Sequence, residues 1–191
     1  MLLPFIKEGL EGGEKAFHTV DPRRREDHLQ RLASTGVNVS DIHEGGQLEL
    51  RDWTDTHLLD GRFDPHKTLA VYGDIVKKAK DQGYPRVRFV THMEWALEDL
   101  PGVDHLLEYE ATASEILMRQ DGPANPVICT YDLKRFGGEL IIDVVRTHPM
   151  VIIGGMLQEN PFFVPPDEFL RECRERLKSG RRNRSAASGY H

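Results

Sequence analysis

Apolar positions along the chain recur with two spacings, and segments of the two kinds alternate. Spacings of three and four residues predict helices at 2–12, 21–34, 64–83, 94–100, 103–120, 138–147 and from 167 onward. Short apolar or alternating runs predict strands at 14–20, 47–51, 86–90, 126–130 and 150–153. Strands that alternate with helices are typical of a three-layer α/β domain with a mainly parallel sheet.

Punctuating residues mark the ends of these segments. Asp21-Pro22 and Asp64-Pro65 each combine an N-cap with a proline at the first helical position. Ser40 or Asp41 is available to cap a short helical turn within 37–46. The segment 52–62 is predicted to be a polar connection. Gly9, Gly12 and Gly13 lie near the end of the first helix, where a C-cap is the ordinary explanation.

The length of 191 residues is that of one domain, which we place at 1–178, followed by a basic and polar tail at 179–191 that need not be ordered. The two cysteines, Cys129 and Cys173, make no disulfide framework, and a reducing cytoplasm is the expected location. No apolar run approaches the roughly 18 residues of a membrane span, so we expect no membrane association.

Charge is distributed unevenly along the chain. The net charge is −6, yet residues 171–184 carry seven Arg or Lys and two Glu. An acidic body repels nucleic acid, so binding of that kind would fall to the tail. The tail is either a solvated extension, as at a junction with another domain, or a nucleic-acid arm. The first is favoured because no aromatic residues interleave its basic ones.

Several motifs that indicate nucleotide or metal binding are missing from the sequence. Neither a G-x-x-x-x-G-K-[ST] phosphate loop nor a G-x-G-x-x-G after a strand is present. Nucleotide hydrolysis is therefore disfavoured, and no cofactor is predicted. The spacings C-x-x-C, H-x-x-x-H and H-E-x-x-H do not occur, so a metal site would have to be assembled from distant positions.

Chemistry-bearing residues follow two apolar runs that a helical segment separates. Thr91, His92, Met93, Glu94 and Trp95 follow the first run, and Cys129, Thr130, Tyr131 and Asp132 follow the second. Parallel neighbours need a crossover of about a dozen residues or more, which this segment supplies. Ligands of open α/β sheets bind outside the carboxyl ends of the strands. We therefore expect a pocket there, lined by His92, Glu94, Trp95, Cys129, Tyr131 and Asp132.

The aromatic and acidic candidates each have two interpretations. Trp95 and Tyr131 would wall an apolar ligand, or they are aromatic residues at the edge of the core. Glu94 would bind a polar ligand head or titrate in a pocket. Alternatively, it is a helix N-terminal carboxylate that the helix dipole stabilises.

The remaining candidates are also open. His92 would pair with Glu94 or Cys129 across neighbouring strands, or it is a hydrogen-bonded structural histidine. Cys129 would be reactive only if it is partly exposed in an electropositive place, and otherwise it is a small buried hydrophobe. Asp132 is either a ligand contact or a helix cap. His148, before Pro149, is a weak candidate expected to cap the preceding helix or to face the sheet's opposite end.

Seven collinear motifs resemble the MEDS family of methanogen and methylotroph sensory domains over about residues 3–170. They are G-L-E-G-G-E (9–14), D-G-R-F-D-P (60–65), M-E-W-A-L (93–97), L-P-G-V-D-H-L-L-E-Y-E (100–110), C-T-Y-D (129–132), R-T-H-P (146–149) and E-N-P-F-F-V-P-P-D-E-F-L (159–170). The resemblance implies a RecA/KaiC-like core without a Walker A loop. It also implies sensing of simple hydrocarbon derivatives within signalling proteins.

One departure from the family pattern concerns the N-terminus. Family members usually begin with a strand of the type H-I-C-x-F-Y, and this chain starts after it. That strand would normally lie beside the 87–90 run. We therefore expect the pocket to be open on one side there, or to be completed by another chain.

The resemblance and the missing phosphate loop favour a non-catalytic sensory or regulatory domain of signal transduction or transcription regulation. It would bind a small ligand and act on a signalling partner or a fused output domain, with a homodimer as one possible assembly. The alternatives are a protein-interaction scaffold derived from a degenerate ATPase fold, and a metal or thiol enzyme that uses His92, Glu94 and Cys129.

Overall fold

The computed structural model describes residues 2–118 and 124–187, with side chains described for 2–116 and 124–176. Its helices are α1 (Leu2–Glu11), α2 (Arg25–Ala33), α3 (Val39–Glu44), α4 (Pro65–Asp81), α5 (Leu106–Met118), α6 (Gly138–Arg146) and α7 (Pro166–Ala187). Its strands are β1 (Lys15–Val20), β2 (Leu48–Asp52), β3 (Val87–His92), β4 (Val127–Thr130), β5 (Met150–Ile153) and β6 (Met156–Glu159). The predicted alternation of helices and strands is confirmed.

A sheet of four parallel strands in the order β2-β1-β3-β4 forms the middle layer. Helices cover both of its faces, which confirms the predicted three-layer α/β class. The expected gap beside the 87–90 run is wrong, because β1 pairs with one edge of β3 and β4 with the other. Every residue of β1 is buried, as the centre of a parallel sheet requires.

Alternate side chains of the strands enter two separate cores. Ala16 and Val90 point to the face covered by α1, α2 and α3, where they meet Ile6, Leu10 and Leu32. Phe17 and Phe89, their neighbours in sequence, point to the face covered by α4 and pack on Ile75 and Ala79. This period of two is the property of a strand that decides which helix layer each side chain meets.

The turn that joins α1 to β1 is held by a buried ion pair with β3. Glu14 accepts hydrogen bonds from the guanidinium groups of Arg86 and Arg88. Gly9 makes room for this contact, because a Cβ there would lie 2.4 Å from the Cδ of Arg88. Gly13, with φ of 73°, ends the helix as the predicted C-cap glycine does. The G-L-E-G-G-E motif thus fastens the first helix to the central strands.

Two local predictions are wrong. The segment 52–62, expected to be a polar connection, forms short 3-10 turns that bury Trp53, His57 and Leu58. The cap of α3 is Asn38, whose side chain accepts from the backbone N–H of Asp41, rather than Ser40 or Asp41.

The C-terminal part differs most from the expected pattern. β5 does not join the main sheet but pairs with β6 in an antiparallel hairpin, and β6 was not predicted. The helix α7 extends to Ala187, into the segment expected to be a tail. The division of the chain at residue 178 stays a prediction, and 188–191 lie outside the described residues.

Candidate ligand cavity

An aromatic cluster closes the sheet at the carboxyl ends of its strands, where the sequence predicted a pocket. Trp95 is fully buried and stacks on the ring of His57, with 4.7 Å between the ring centroids. Trp95 is thus a residue of the core rather than the wall of a cavity. The buried members of the cluster are Trp53, Leu58, Phe63, Met93, Trp95, Leu106, Tyr109 and Phe136.

His92 lies on the opposite face of the sheet from Cys129. The register pairs Thr91 with Cys129 and His92 with Thr130, and adjacent residues of a strand point to opposite faces. The ring of His92 instead lies 5.2 Å from that of His28 on α2. The suggested pairing of His92 with Cys129 is therefore wrong, and an enzyme site that combines the two is not assembled.

A histidine pair lies next to His92 under α2. The Nδ1 of His18 and the Nε2 of His28 share a hydrogen bond of 2.9 Å. Burial is the main reason that the pKa of His18 falls well below its ordinary value, and burial together with His92 lowers the pKa of His28 to about 4. The pair is uncharged at neutral pH, which suits its place in the interior.

Glu94 is buried where β3 ends, in the 3-10 turn Met93–Leu97. One of its carboxylate oxygens lies 3.8 Å from the Nη1 of Arg24, and the other has no hydrogen-bond partner among the described residues. Asp132 accepts a hydrogen bond from the backbone N–H of Lys134 at 3.0 Å, so it caps the turn that follows β4. Neither residue reaches the cavity described below.

Cys129 and Tyr131 meet a carboxylate that was not singled out from the sequence. Glu110 of α5 is only 2% exposed, and the hydroxyl of Tyr131 donates a hydrogen bond to its Oε1. The Oε2 of Glu110 lies 3.4 Å from the Nε2 of His148, at the turn between α6 and β5. Cys129, on β4, offers its sulfur to the same place. Four residues from three separate motifs thus form one polar cluster.

This cluster is one end of a cavity of about 230 Å³ between the sheet and helices α4 and α5. Apolar side chains form most of its wall, and Gly73 of α4 contributes to it without a side chain. The lining residues are Leu69, Tyr72, Gly73, Val76, Phe89, Tyr109, Glu110, Ala113, Ser114, Ile116, Asn125, Val127, Cys129 and His148. An apolar wall with a few convergent polar groups is the usual form of a small-molecule site.

Burial keeps the Cys129 thiol and the hydroxyls of Tyr131 and Tyr72 protonated. Burial, and then the charge of Glu110, raise the pKa of the Cys129 thiol and of the Tyr131 hydroxyl well above their ordinary values. Burial also raises the pKa of Tyr72, which contacts Thr91 through a 2.8 Å hydrogen bond. Cys129 is consequently no reactive thiolate at neutral pH in the absence of a cation.

The three residues at the polar end of the cavity lie in motifs quoted above from the sequence. Glu110 ends the motif L-P-G-V-D-H-L-L-E-Y-E, Cys129 begins C-T-Y-D, and His148 lies in R-T-H-P. Three of the motifs that carry the family resemblance therefore meet at one point. No local spacing indicated this, because α5, β4 and α6 bring the residues together only through tertiary packing.

Comparison with known proteins agrees with the motifs. A family model described as the methanogen/methylotroph, DcmR sensory domain (MEDS) matches residues 1–149. Comparison with curated proteins gives no match. Among the described residues no helix has the length and apolar character needed to cross a membrane.

Proposed function

Because this chain belongs to the MEDS family of sensory domains, we propose that it is a non-catalytic sensor that binds a small, largely apolar molecule in the cavity between α4, α5 and the sheet. The cavity is the observation that carries the proposal. Its polar end, formed by Glu110, Cys129 and His148, would hold the heteroatom of the ligand. Its apolar wall would hold the hydrocarbon part.

The volume of the cavity limits the size of the ligand. An apolar cavity of about 150 Å³ holds a molecule of the size of benzene. The cavity here, of about 230 Å³, fits a slightly larger molecule but no nucleotide. Small alcohols, haloalkanes and methylated amines are of the right size. Their hydrocarbon-derivative chemistry agrees with the ligand class that the family resemblance implies.

Helix α5 connects the cavity to the rest of the domain. Glu110 points to the cavity, and one turn later the hydroxyl of Ser114 donates a 2.7 Å hydrogen bond to the carbonyl of Thr147 at the end of α6. The helix also packs on α7. A ligand with different affinities for two positions of α5 would shift the equilibrium between them. The signal would then reach a partner protein or a fused output domain through α6 and α7.

A substitution at Gly73 tests the cavity directly. A Cβ at this helical position meets nothing within 4 Å, so the backbone accepts a side chain there. Gly73→Leu would fill the cavity mouth, whereas Gly73→Ala adds only a methyl group. The alanine control should stabilise the helix by about 0.5–1 kcal/mol.

The measurement is a thermal-shift screen of the full chain with small alcohols, haloalkanes and methylated amines. A ligand present at about 100 times its Kd stabilises the native state by about 2.7 kcal/mol. We expect the same compounds to stabilise wild type and Gly73→Ala but not Gly73→Leu. Stabilisation of Gly73→Leu equal to that of wild type, or no stabilisation of wild type by any compound, would contradict the proposal.

An exposed apolar hairpin favours a second candidate function, protein interaction. In β5 and β6, Ile153, Met156 and Leu157 are 58%, 66% and 57% exposed. An isolated two-stranded hairpin is marginally stable in water, so a covering surface is expected. We propose a second copy of this chain as that surface. The segment 150–158 carries no charge, so it is a face on which two copies of net charge −6 can approach each other.

Light scattering coupled to gel filtration tests this dimer. Ile153→Glu places a charge in the hairpin and should give a monomer, since two such charges would meet across a two-fold axis. The matched control is Leu133→Glu, at a position that is 72% exposed outside the hairpin. A monomeric wild type, or a dimer that Ile153→Glu leaves intact, rules out this candidate.

A further inference from the structure

Metal-ligating side chains from three separate elements meet at the polar end of the cavity. Glu110 belongs to α5, Cys129 to β4, and His148 to the turn after α6. One ligand atom of each lies within 4.8 Å of the other two. Bonds of about 2.0–2.3 Å to a tetrahedral ion place its ligands about 3.3–3.8 Å apart. The three atoms would therefore need to contract only slightly around an ion.

The hydrogen bonds of His148 determine which of its nitrogens is free. Its Nδ1 lies 2.9 Å from the carbonyl oxygen of Val144 and 3.0 Å from the Oγ1 of Thr147. The hydroxyl of Thr147 already donates to the same carbonyl at 2.8 Å, so it accepts from His148. Both partners of Nδ1 are acceptors, which places a proton on Nδ1. In the neutral ring, Nε2 then presents its lone pair to Glu110.

Two electron-rich atoms consequently face each other across 3.4 Å, the Nε2 of His148 and the Oε2 of Glu110. This arrangement requires a proton or a metal ion between the two atoms. A proton would make an ion pair if it is on His148, or a neutral hydrogen bond if it is on Glu110. The sulfur of Cys129 within the same 4.8 Å favours the metal, because it adds nothing to the ion pair and is a strong ligand for a borderline-soft cation.

The surroundings hold these groups in position. The hydroxyl of Tyr131 donates to the Oε1 of Glu110 and leaves the Oε2 free. The side-chain amide of Asn160 donates to the carbonyls of Val145 and His148, at 2.7 and 2.8 Å, and so fixes the turn that carries the imidazole. A metal-binding histidine commonly donates its second N–H to a backbone carbonyl, as His148 does here.

We propose that Glu110, Cys129 and His148 bind a zinc ion whose fourth position is open to the cavity. One sulfur, one nitrogen and one oxygen ligand suit zinc, and three protein ligands with an open position are typical of zinc sites that bind a further molecule. All three residues belong to the cavity wall, so that position faces the ligand space. The use of the zinc as the anchor for the ligand's heteroatom rests on the proposed function, whereas zinc binding itself does not.

The first test measures metal binding by the full-length chain. After chelator treatment, the protein is equilibrated with Zn²⁺, freed of excess metal and analysed for zinc, with one zinc per chain expected. Titration with Co²⁺ should give a thiolate-to-cobalt charge-transfer absorption. Cys129→Ser should abolish this absorption and weaken zinc binding by at least about tenfold. Cys173→Ser, which removes the other cysteine, should leave both unchanged.

A chain without stoichiometric zinc, or an absorption that persists in Cys129→Ser, would overturn the proposal in favour of a simple ion pair between His148 and Glu110. If Cys129→Ser does not fold, alkylation of native wild type replaces it. Zinc should slow the modification of Cys129 but not of Cys173, as peptide mapping would show. Equal modification of Cys129 with and without zinc would equally overturn the proposal.

The failure of the zinc site and the failure of the sensory function have different signatures. If compounds stabilise the protein, Gly73→Leu abolishes that effect and no zinc binds, the sensory function stands and the metal site is refuted. If the protein binds stoichiometric zinc that Cys129→Ser loses, but no compound stabilises it, the metal site is confirmed and the sensory function is refuted. The two measurements concern the same cavity but use different reagents, so either can fail without the other.

Discussion

His57 should make the stability of the domain depend on pH. It is fully buried on Trp95, and burial alone lowers its pKa from 6.5 to about 3. The unfolded chain binds a proton near pH 6.5, whereas the folded chain resists protonation. The stabilising contribution is therefore complete above about pH 6.5 and decreases as the pH falls toward 3. No charged group contributes to the lowered pKa, so desolvation is the whole cause.

The magnitude follows from the pH interval. Each pH unit between the two pKa values corresponds to about 1.4 kcal/mol. From pH 7.5 to 4.5 about two units of that interval are crossed, so His57 should cost about 2.7 kcal/mol of unfolding free energy. His57→Phe removes the titration and keeps an aromatic ring on Trp95. The remaining histidines titrate in both proteins, so the comparison of the two isolates His57.

The assay is denaturant unfolding followed by tryptophan fluorescence, which reports on Trp53 and Trp95. Wild type should lose about 2–3 kcal/mol more than His57→Phe between pH 7.5 and 4.5. The hydrogen bond between His57 and Thr56 is lost in the variant at both pH values, so its loss cancels in the comparison. Equal losses in the two proteins would refute the claim that a buried, neutral His57 is part of the native core.

Two substitutions test the contacts that fasten the motifs together. Glu14→Gln removes the buried counter-charge of Arg88 and leaves it only Glu8, which is 77% exposed at 3.6 Å. Chemical denaturation should show a loss of about 3 kcal/mol, and a loss below about 1 kcal/mol would mean that solvent screens the pair. Gly102→Ala places a Cβ 2.1 Å from the carbonyl oxygen of Phe63, at φ of 89°. The control Gly46→Ala has a similar φ of 73° but nothing within 4 Å of its Cβ, so the melting temperature should fall further in Gly102→Ala. Equal shifts in the two variants would contradict the clash.

Periodicity was sufficient to predict the layers of this fold, because both its helices and its strands bury one face. The hairpin β5–β6 was missed, although its turn has a local signature. Gly154 and Gly155 have φ of 60° and 81°, the left-handed pair of a type I′ turn. The strand predicted at 150–153 ends just before this pair, and no second strand was expected after it. The segment M-L-Q-E that follows lacks the alternation that indicates a strand, since it is exposed along its whole length.

The candidate site was predicted in part, and the reason lies in strand register. Cys129 and Tyr131 follow from the end of β4, but His92 and Glu94 were expected beside them. A shift of one residue in pairing moves a side chain to the other face of the sheet. Because Thr91 rather than His92 aligns with Cys129, the histidine faces α2. Glu110 was missed, and His148 was expected to cap a helix or to face the opposite end of the sheet, because their approach depends on how α5 and α6 pack, which no spacing in the sequence encodes.

The aromatic cluster and the cavity together place the proposed ligand site away from the usual site of an α/β domain. Trp95 and its neighbours fill the interior at the carboxyl ends of the strands, where an open depression lined by Asp21, Trp53 and Glu98 remains at the surface. The cavity lies on the face of the sheet instead. Tyr109 and Glu110 are adjacent on α5, yet the first belongs to the cluster and the second to the cavity. A ligand that moves α5 would therefore also move Tyr109, a residue of the aromatic cluster, which would couple the cavity to the core at the strand ends.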